Sequence, residues 1–283
     1  MSPGRLGKYE LIRRVGVGGM AEVFEARQSG AAGFAKRVAV KLLLPDLQED
    51  REVVAMFIDE ATIAAELSHP NIVSVHDFGE IDGTYFMAME FMDGWDLRQI
   101  AQQLQRVGRP FPIPGAAYVV RELCRALDYI HRSERRIVHR DVTPHNTFIS
   151  PYGEVKLGDF GIAKAEARVS RTVQGQIKGK LSYLAPEQVA GDSISPRTDI
   201  YAAGLILFEL LTGRRLIKGE REVDLLNSAL DPPPVDPAKI RPQTAPLDSI
   251  VKRALQRHPT LRYPNAALFG TDLERYLEAC PFP

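Results

Sequence analysis

The sequence predicts an α+β fold in two parts, a small β-rich part followed by a larger helical one, and three observations predict it. Short β-branched and aromatic runs punctuated by glycine crowd the start of the chain. After Asp93-Gly94 the texture changes to apolar residues at helical spacing. The chain has 283 residues, 45% of them hydrophobic, which is enough to bury a full core in one large domain or two lobes and excludes a disordered chain.

The elements follow in order. Residues 9–15, 21–27 and 37–43 read as strands. A helix is expected over 52–67, where Val53, Met56, Phe57, Ile63, Ala64 and Leu67 fall on one face. Two more strands are expected at 72–78 and 84–91. Beyond them, 114–132 carries the stripe Val120, Leu123, Cys124, Leu127 and Ile130. Helices are also expected at 199–211, 222–230, 247–256 and 266–277, and the proline-rich stretch 231–246 reads as a surface loop. The most hydrophobic run, 200–211, is too short to span a bilayer, contains Glu209, and reads as a core helix. No internal repeat is visible.

Charge and cysteine content exclude several classes. Lys plus Arg (36) equals Asp plus Glu (36), which gives no support for a nucleic-acid or anionic-membrane partner. Cys124 and Cys280 are too few and too far apart for a disulfide framework or a metal site. A reducing, cytoplasmic setting is the simplest expectation. The first residues, Met1-Ser2-Pro3-Gly4-Arg5, lack the apolar stretch of a signal peptide, and a membrane tether is expected only if the natural protein extends beyond residue 283.

Five short motifs fall in one order: Gly16-Val17-Gly18-Gly19-Met20-Ala21-Glu22-Val23, Val38-Ala39-Val40-Lys41, His139-Arg140-Asp141 with Asn146, Asp159-Phe160-Gly161, and Ala185-Pro186-Glu187. Together they supply what phosphoryl transfer from ATP needs: a glycine turn over phosphates, a lysine for phosphate charge, a base, and two metal ligands. Each is weak alone, since a glycine-rich turn is often only a hairpin and Asp-Phe-Gly is a common turn. The glycines serve close backbone approach and permit positive φ. Lys41 lies in an apolar run and needs a partner.

On these motifs the chain resembles the eukaryote-like (Hanks-type) bacterial Ser/Thr protein kinases over about residues 9–277. The resemblance implies a bilobal protein-kinase fold, with an N-lobe at 1–91, a C-lobe at 92–283, a hinge near Glu90 to Gly94, and ATP in the cleft between the lobes. It implies nucleotide contacts from Val15, Gly16, Gly18, Gly19, Val23, Ala39 and Lys41, with Met89 as gatekeeper, Glu90 and Met92 at the hinge, and Asp96 at the ribose. Glu60 matches the pairing partner of Lys41; Asp59 is the alternative at an offset of one, and the apolar face of the helix favours Glu60. Asp141 matches the catalytic base. Asn146 and Asp159 match the metal ligands for Mg2+, with Mn2+ as the other ion considered. His139 reads as a packed structural histidine.

Departures and further matches complete the resemblance. Ala21 replaces the family's third glycine. Thr143 stands where most Ser/Thr kinases have a lysine that meets the γ-phosphate, and Lys180 stands where most have threonine. The pair looks reciprocally exchanged, with Lys180 restoring the charge; the alternative is a solvent-exposed Lys180 and a slower enzyme. Thr172 and Ser170, flanked by Arg168, Arg171 and Lys178, are the expected phosphorylation sites, with Arg140 to receive the phosphate, while Ser182 reads as structural. Glu187 and Arg262 resemble a buried ion pair, and Asp199 the residue that fixes the catalytic loop.

The expected function is therefore ATP- and Mg2+-dependent phosphorylation of protein Ser/Thr hydroxyls, with self-association for trans-autophosphorylation. A pseudokinase scaffold would require loss of Lys41, Asp141, Asn146 or Asp159, all present. A small-molecule kinase would usually lack the Ala185-Pro186-Glu187 segment and its Arg262 partner.

Overall fold

The protein is represented by a computed structural model that describes residues 4–30, 33–159 and 176–280, with side chains from residue 179 onward in the last stretch. Thr172, Ser170, Arg168, Arg171 and Phe160-Gly161 lie outside the described residues, as does the Lys178 side chain.

The chain divides into two compact units, one within Met1–Asp93, the other within Gly94–Asp159 and Gln174–Pro283. The first holds strands β1 (Arg5–Leu6), β2 (Tyr9–Val17), β3 (Ala21–Ser29) and β4 (Ala35–Leu43), helix α1 (Arg51–Ala65), and strands β5 (Val75–Ile81) and β6 (Thr84–Glu90). The strands form an antiparallel sheet in the order β1-β2-β3-β4-β6-β5. Side chains on β4 alternate between faces. Val38, Val40 and Leu42 join Tyr9, Leu11, Phe24 and Phe86 in one apolar cluster. Leu43, on the opposite face, joins Phe57 and Ala61 of α1, Met87 and Ala21. Lys41 is two residues before Leu43, so it lies on the α1 face.

Helix α1 starts at Asp50, whose carboxylate accepts from the N–H groups of Glu52 (3.1 Å) and Val53 (3.3 Å) and satisfies donors the first turn leaves open. Phe57, Glu60, Ala61 and Ala64 are its buried positions.

The second unit holds a small sheet in the order β7-β8-β9, from β7 (Trp95–Asp96), β8 (Thr147–Ile149) and β9 (Val155–Leu157). Gly94 opens β7, and a Cβ there would lie 2.1 Å from the Ile149 carbonyl oxygen, so only glycine permits this approach. Its helices are α2 (Leu97–Arg106), α3 (Ile113–Arg132), α4 (Gln176–Leu181), α5 (Pro186–Ala190), α6 (Pro196–Thr212), α7 (Glu222–Leu230), α8 (Pro237–Ile240), α9 (Asp248–Ala254) and α10 (Ala266–Ala279). The α3 stripe is wholly buried, and α3 packs on α10, α6 and β9. Helix α6 is buried all round from Thr198 to Leu211 and ends at Gly213, which takes a left-handed φ of 69°.

Three expectations are corrected. The strand expected at 72–78 is β5, three residues later: Ile72 and Val73 are buried, but their backbone lies outside the strand. The stretch 231–246 is not simply a loop, because Pro237 and Pro242 each open a short helical turn, where a missing N–H costs nothing. Helix α2 falls in a stretch for which no element is predicted. Cys124 is buried, its thiol pushed far up by desolvation, and neither cysteine forms a disulfide. No described helix is long and apolar enough to cross a membrane.

Candidate functional site

In the first unit the β2–β3 turn is closed by the Gly18 N–H donating to the Ala21 carbonyl at 2.7 Å. None of Gly16, Gly18 and Gly19 takes a positive φ, so the expected reliance on left-handed backbone is corrected: what remains is the absence of a side chain. A Cβ on Gly16 would rest 3.7 Å from Val23, and one on Gly18 would lie 3.4 Å from the Ala21 carbonyl oxygen. The Ala21 methyl is buried in the cluster of Leu43, Phe57 and Met87.

Val23 lies opposite Lys41, and Ala39 opposite Met89, in the sheet register. The Lys41 ammonium donates to Glu60 Oε1 at 2.7 Å, both side chains being more than nine-tenths buried. Asp59 is exposed. Period-2 alternation on β4 and the helical spacing of α1 bring the two charges together, and each offsets the other's desolvation. Val15 is exposed, and Met89 packs half-buried against the Phe57 cluster. The Glu90 N–H donates to the Ser74 carbonyl at 2.8 Å, and its carboxylate accepts from the Ser74 N–H at 3.4 Å. That amide is therefore committed to Ser74, and the Glu90 carbonyl and the Met92 backbone remain the hinge groups that the expectation concerns. Met92 is half-buried.

In the second unit the segment 139–146 is held by backbone and side-chain contacts from three elements. Asp199, in the first turn of α6 and 1% exposed, accepts from the His139 N–H (2.8 Å), the Arg140 N–H (2.8 Å) and His131 Nε2 (2.8 Å). These contacts support Arg140 at a left-handed φ of 66°, costly for a residue with a side chain. His139 is fully buried; its Nδ1 accepts from the Asp141 N–H at 3.3 Å, and its Nε2 lies 3.3 Å from the Gly158 carbonyl. This is the packed role expected of it.

Asp141 is fixed from two sides. Asn146 Nδ2 donates to its backbone carbonyl (2.8 Å) and to its Oδ2 (3.1 Å). Lys180, on α4, donates to the same Oδ2 at 2.8 Å. A Lys180 pointing away into solvent is therefore not what the fold contains. Thr143 is 2% exposed and its hydroxyl has no hydrogen-bond partner among the described residues, while its carbonyl accepts from Thr147 Oγ1 at 2.9 Å.

Asn146 commits its amide nitrogen to Asp141, which leaves the amide oxygen as the acceptor for a cation. The Gly158 N–H donates to the Asn146 carbonyl at 2.9 Å, tying the end of β9 to Asn146, and Asp159 follows at a φ of 52°. An amide oxygen and a carboxylate form an all-oxygen donor set, which suits Mg2+ completed by phosphate oxygens. Among the described residues no group of three or more His, Cys, Asp or Glu could hold a metal.

Asp96 has partners of its own. One carboxylate oxygen caps α2 by accepting from the Gln99 N–H at 2.7 Å, and the other lies 3.6 Å from His145 Nδ1. Two further positions have no sequence signal: Gln188 Nε2 donates to the Arg140 carbonyl at 3.1 Å, and Glu209 accepts from Arg98 at 3.1 Å and from the Tyr183 hydroxyl. The Arg140 Nε is buried without a hydrogen-bond partner among the described residues.

Beneath the site lies the Glu187–Arg262 pair. Arg262 NH1 and NH2 meet the two carboxylate oxygens at 2.7 and 2.8 Å. The remaining donors reach the carbonyls of Gln256, Arg197 and Arg257, so all five N–H groups are satisfied in a side chain with no exposure. Burial alone would raise the Glu187 pKa, but the bonds from Arg262 and Thr198 hold it below the usual glutamate value. Ser182 is buried.

The protein kinase domain family matches residues 9–269. The chain is 38% identical to the tyrosine-protein kinase MasK of Myxococcus xanthus over 96% of its length and 43% of the relative. It is 34% identical to the serine/threonine-protein kinase PrkC of Bacillus subtilis, over 96% of its length and 41% of the relative. To the serine/threonine-protein kinase PknB of Mycobacterium tuberculosis it is 38% identical, over 95% and 42%. The chain thus spans about two fifths of the length of these relatives. Among solved structures it resembles the PknI kinase domain of Mycobacterium tuberculosis, with a TM-score of 0.75 and 30% identity over 98% of this chain and 99% of that one.

Proposed function

The chain belongs to the protein kinase domain family, among the eukaryote-like Ser/Thr kinases of bacteria, and from that premise we propose that it transfers the γ-phosphoryl group of ATP, with Mg2+, to Ser or Thr hydroxyls of proteins. The observation that carries the reading is the Asp141 carboxylate, oriented at one oxygen by both Asn146 and Lys180. Phosphoryl transfer asks the protein mainly for positioning and charge. Asp141 orients the acceptor hydroxyl and takes its proton. Lys41, held by Glu60, meets the α- and β-phosphates. The metal, when bound through Asn146 and Asp159, neutralises charge on the phosphates. Lys180 brings a second positive charge to the transferred group, on a flexible stem that can serve the point charge of the absent loop lysine.

A protein acceptor is supported by the Ala185-Pro186-Glu187 segment, anchored through Arg262 as a platform for peptide. One relative carries a tyrosine-kinase name, and the acceptor class is an outcome of the test below. Thr172 and Ser170 are the proposed autophosphorylation sites, reached through self-association, with Arg140 to receive the phosphate. The proposed setting is cytoplasmic.

A second reading, an ATP-binding scaffold, is favoured by one observation: the Lys180–Asp141 contact also neutralises the base. Incubation with Mg-ATP, wild type beside Asp159→Asn, with phosphosites mapped by mass spectrometry, separates the two. Phosphate on Thr172 or Ser170 in the wild type alone supports the kinase. Phosphate on tyrosine alone overturns the Ser/Thr assignment. No transfer by a wild type that binds ATP leaves the scaffold.

A further inference from the structure

The second unit contains a cavity of about 440 Å³ whose walls include Arg98, His145, Ser182, Arg215 and Lys218. Among the described residues its lining contains no carboxylate, and Asp96 lies 3.6 Å from His145 Nδ1. Glu209 is buried and already engaged by Arg98 (3.1 Å), Arg215 (3.7 Å) and the Tyr183 hydroxyl, and Asp224, beside Gly219, is held by Arg221 at 2.8 Å. Burial and the Glu209 charge push the Tyr183 pKa up, so this hydroxyl stays a donor to Glu209. Arg98, Arg215 and Lys218 thus face the cavity, and Arg98 and Arg215 share the single carboxylate of Glu209. Among the described residues Lys218 has no acidic partner, and Arg98 and Arg215 each keep about three-quarters of the side chain covered while opening onto the cavity. A guanidinium carries five N–H donors, and the contacts above use only a few of them.

The cavity adjoins the candidate base. His145 is four residues past Asp141, and Gly179 precedes Lys180, whose ammonium rests on Asp141. A peptide presenting a hydroxyl to Asp141 advances at most ~3.3–3.6 Å per residue, so only side chains a few positions from the acceptor can enter.

We infer that this cavity is a selectivity pocket for an oxyanion side chain of the protein substrate, close in sequence to the acceptor hydroxyl. Its chemistry is that of a carboxylate or phosphoryl group taken up by paired guanidinium donors. The inference rests on the kinase reading above and deepens it by naming the substrate class.

The test uses fluorescent peptides that carry Ala, Asp, phosphoserine or Arg at each position around one acceptor serine. Binding is read by anisotropy and transfer by labelled ATP. At one register, Asp or phosphoserine is expected to bind about tenfold more tightly than Ala, the scale of one charge-assisted hydrogen bond. Arg there is expected to bind more weakly than Ala. If phosphoserine alone gains, the substrate is one already phosphorylated; if Asp gains equally, it is an acidic sequence. Lys218→Glu, an exposed position away from the catalytic machinery, should remove roughly three- to tenfold of that advantage and leave the Ala peptide unchanged. Arg98→Gln should remove more, but it also unpairs Glu209, so Lys218→Glu carries the decision. Equal binding of Ala, Asp and phosphoserine peptides, or a preference for Arg, would overturn the pocket. Selective binding of the acidic peptide with no phosphate transferred to any peptide would instead overturn the kinase reading and keep the pocket.

Discussion

Two cation–carboxylate pairs of the second unit have almost the same contact distance, 2.7 Å for Arg262–Glu187 and 2.8 Å for Lys180–Asp141, and opposite surroundings. Arg262 has no exposed side-chain surface and every donor is matched, whereas the Lys180 side chain is 36% exposed and donates to an oxygen that Asn146 also holds. The difference separates a strut from a working pair. A buried guanidinium with five partners cannot move without leaving charges unpaired. A lysine on a flexible stem can leave its carboxylate when a phosphate arrives.

The largest effect expected from breaking this comparison is at the strut. Arg262→Ala should cost about 3–5 kcal/mol, because it strands Glu187 in the interior. Arg262→Lys should recover little of it, since an ammonium cannot match a bidentate carboxylate and three carbonyls. Chemical denaturation reads both. If Arg262→Ala unfolds within about 1 kcal/mol of the wild type, the strut assignment is wrong.

At the working pair, Asp141→Asn should lower phosphate transfer by about 10²–10⁴-fold, the usual reach of a positioned base. Its denaturation midpoint should stay near the wild type, because asparagine keeps the shape and an acceptor oxygen at this position and the partner Lys180 is 36% exposed. A collapse in stability with the loss of activity would erase the distinction drawn here.

Thr198→Val sharpens the contrast by a smaller amount. It removes one donor from Glu187 Oε1, at 2.9 Å, and should cost roughly 1 kcal/mol. The sign with pH follows from the depressed Glu187 pKa. The stability this carboxylate contributes is complete above the unfolded glutamate value, 4.5, and is lost as pH falls through the lower folded value. Losing the Thr198 bond raises that folded value, so the acid limb of the stability curve should still begin near 4.5 but end at higher pH and with a smaller total loss than in the wild type. Acid titration of unfolding by circular dichroism checks this.

The sequence makes the strut and the loop identities legible but not the way they are held. Arg262 and Glu187 can be matched by motif, yet the carbonyls of Gln256, Arg197 and Arg257 that complete the guanidinium carry no side-chain signal at all. Strands β2, β3 and β4 are legible from alternation, and α3 and α6 from their apolar content. Strands β7, β8 and β9 are two or three residues long, too short for any periodicity. Helix α2 buries only Leu97, so its apolar stripe is faint. Its legible mark was Asp96 with Gln99 three residues on, a reciprocal capping box. Ile72 and Val73 show the opposite error, in which apolar character reported burial and not strand backbone. The left-handed backbone of Arg140 and Asp159 is a tertiary property, imposed on Arg140 by Asp199 from a distant helix.

The most direct test of the working pair is steady-state phosphate transfer by Lys180→Ala at varied ATP concentration. The kcat is expected to fall about 10²-fold, the low end of the range for losing a preorganised group that acts on the transition state. The KM for ATP is expected to stay within roughly twofold of the wild type, since ground-state binding does not depend on that charge. An unchanged kcat would contradict that role, and would leave the Lys180–Asp141 contact as a resting ion pair with no part in transfer.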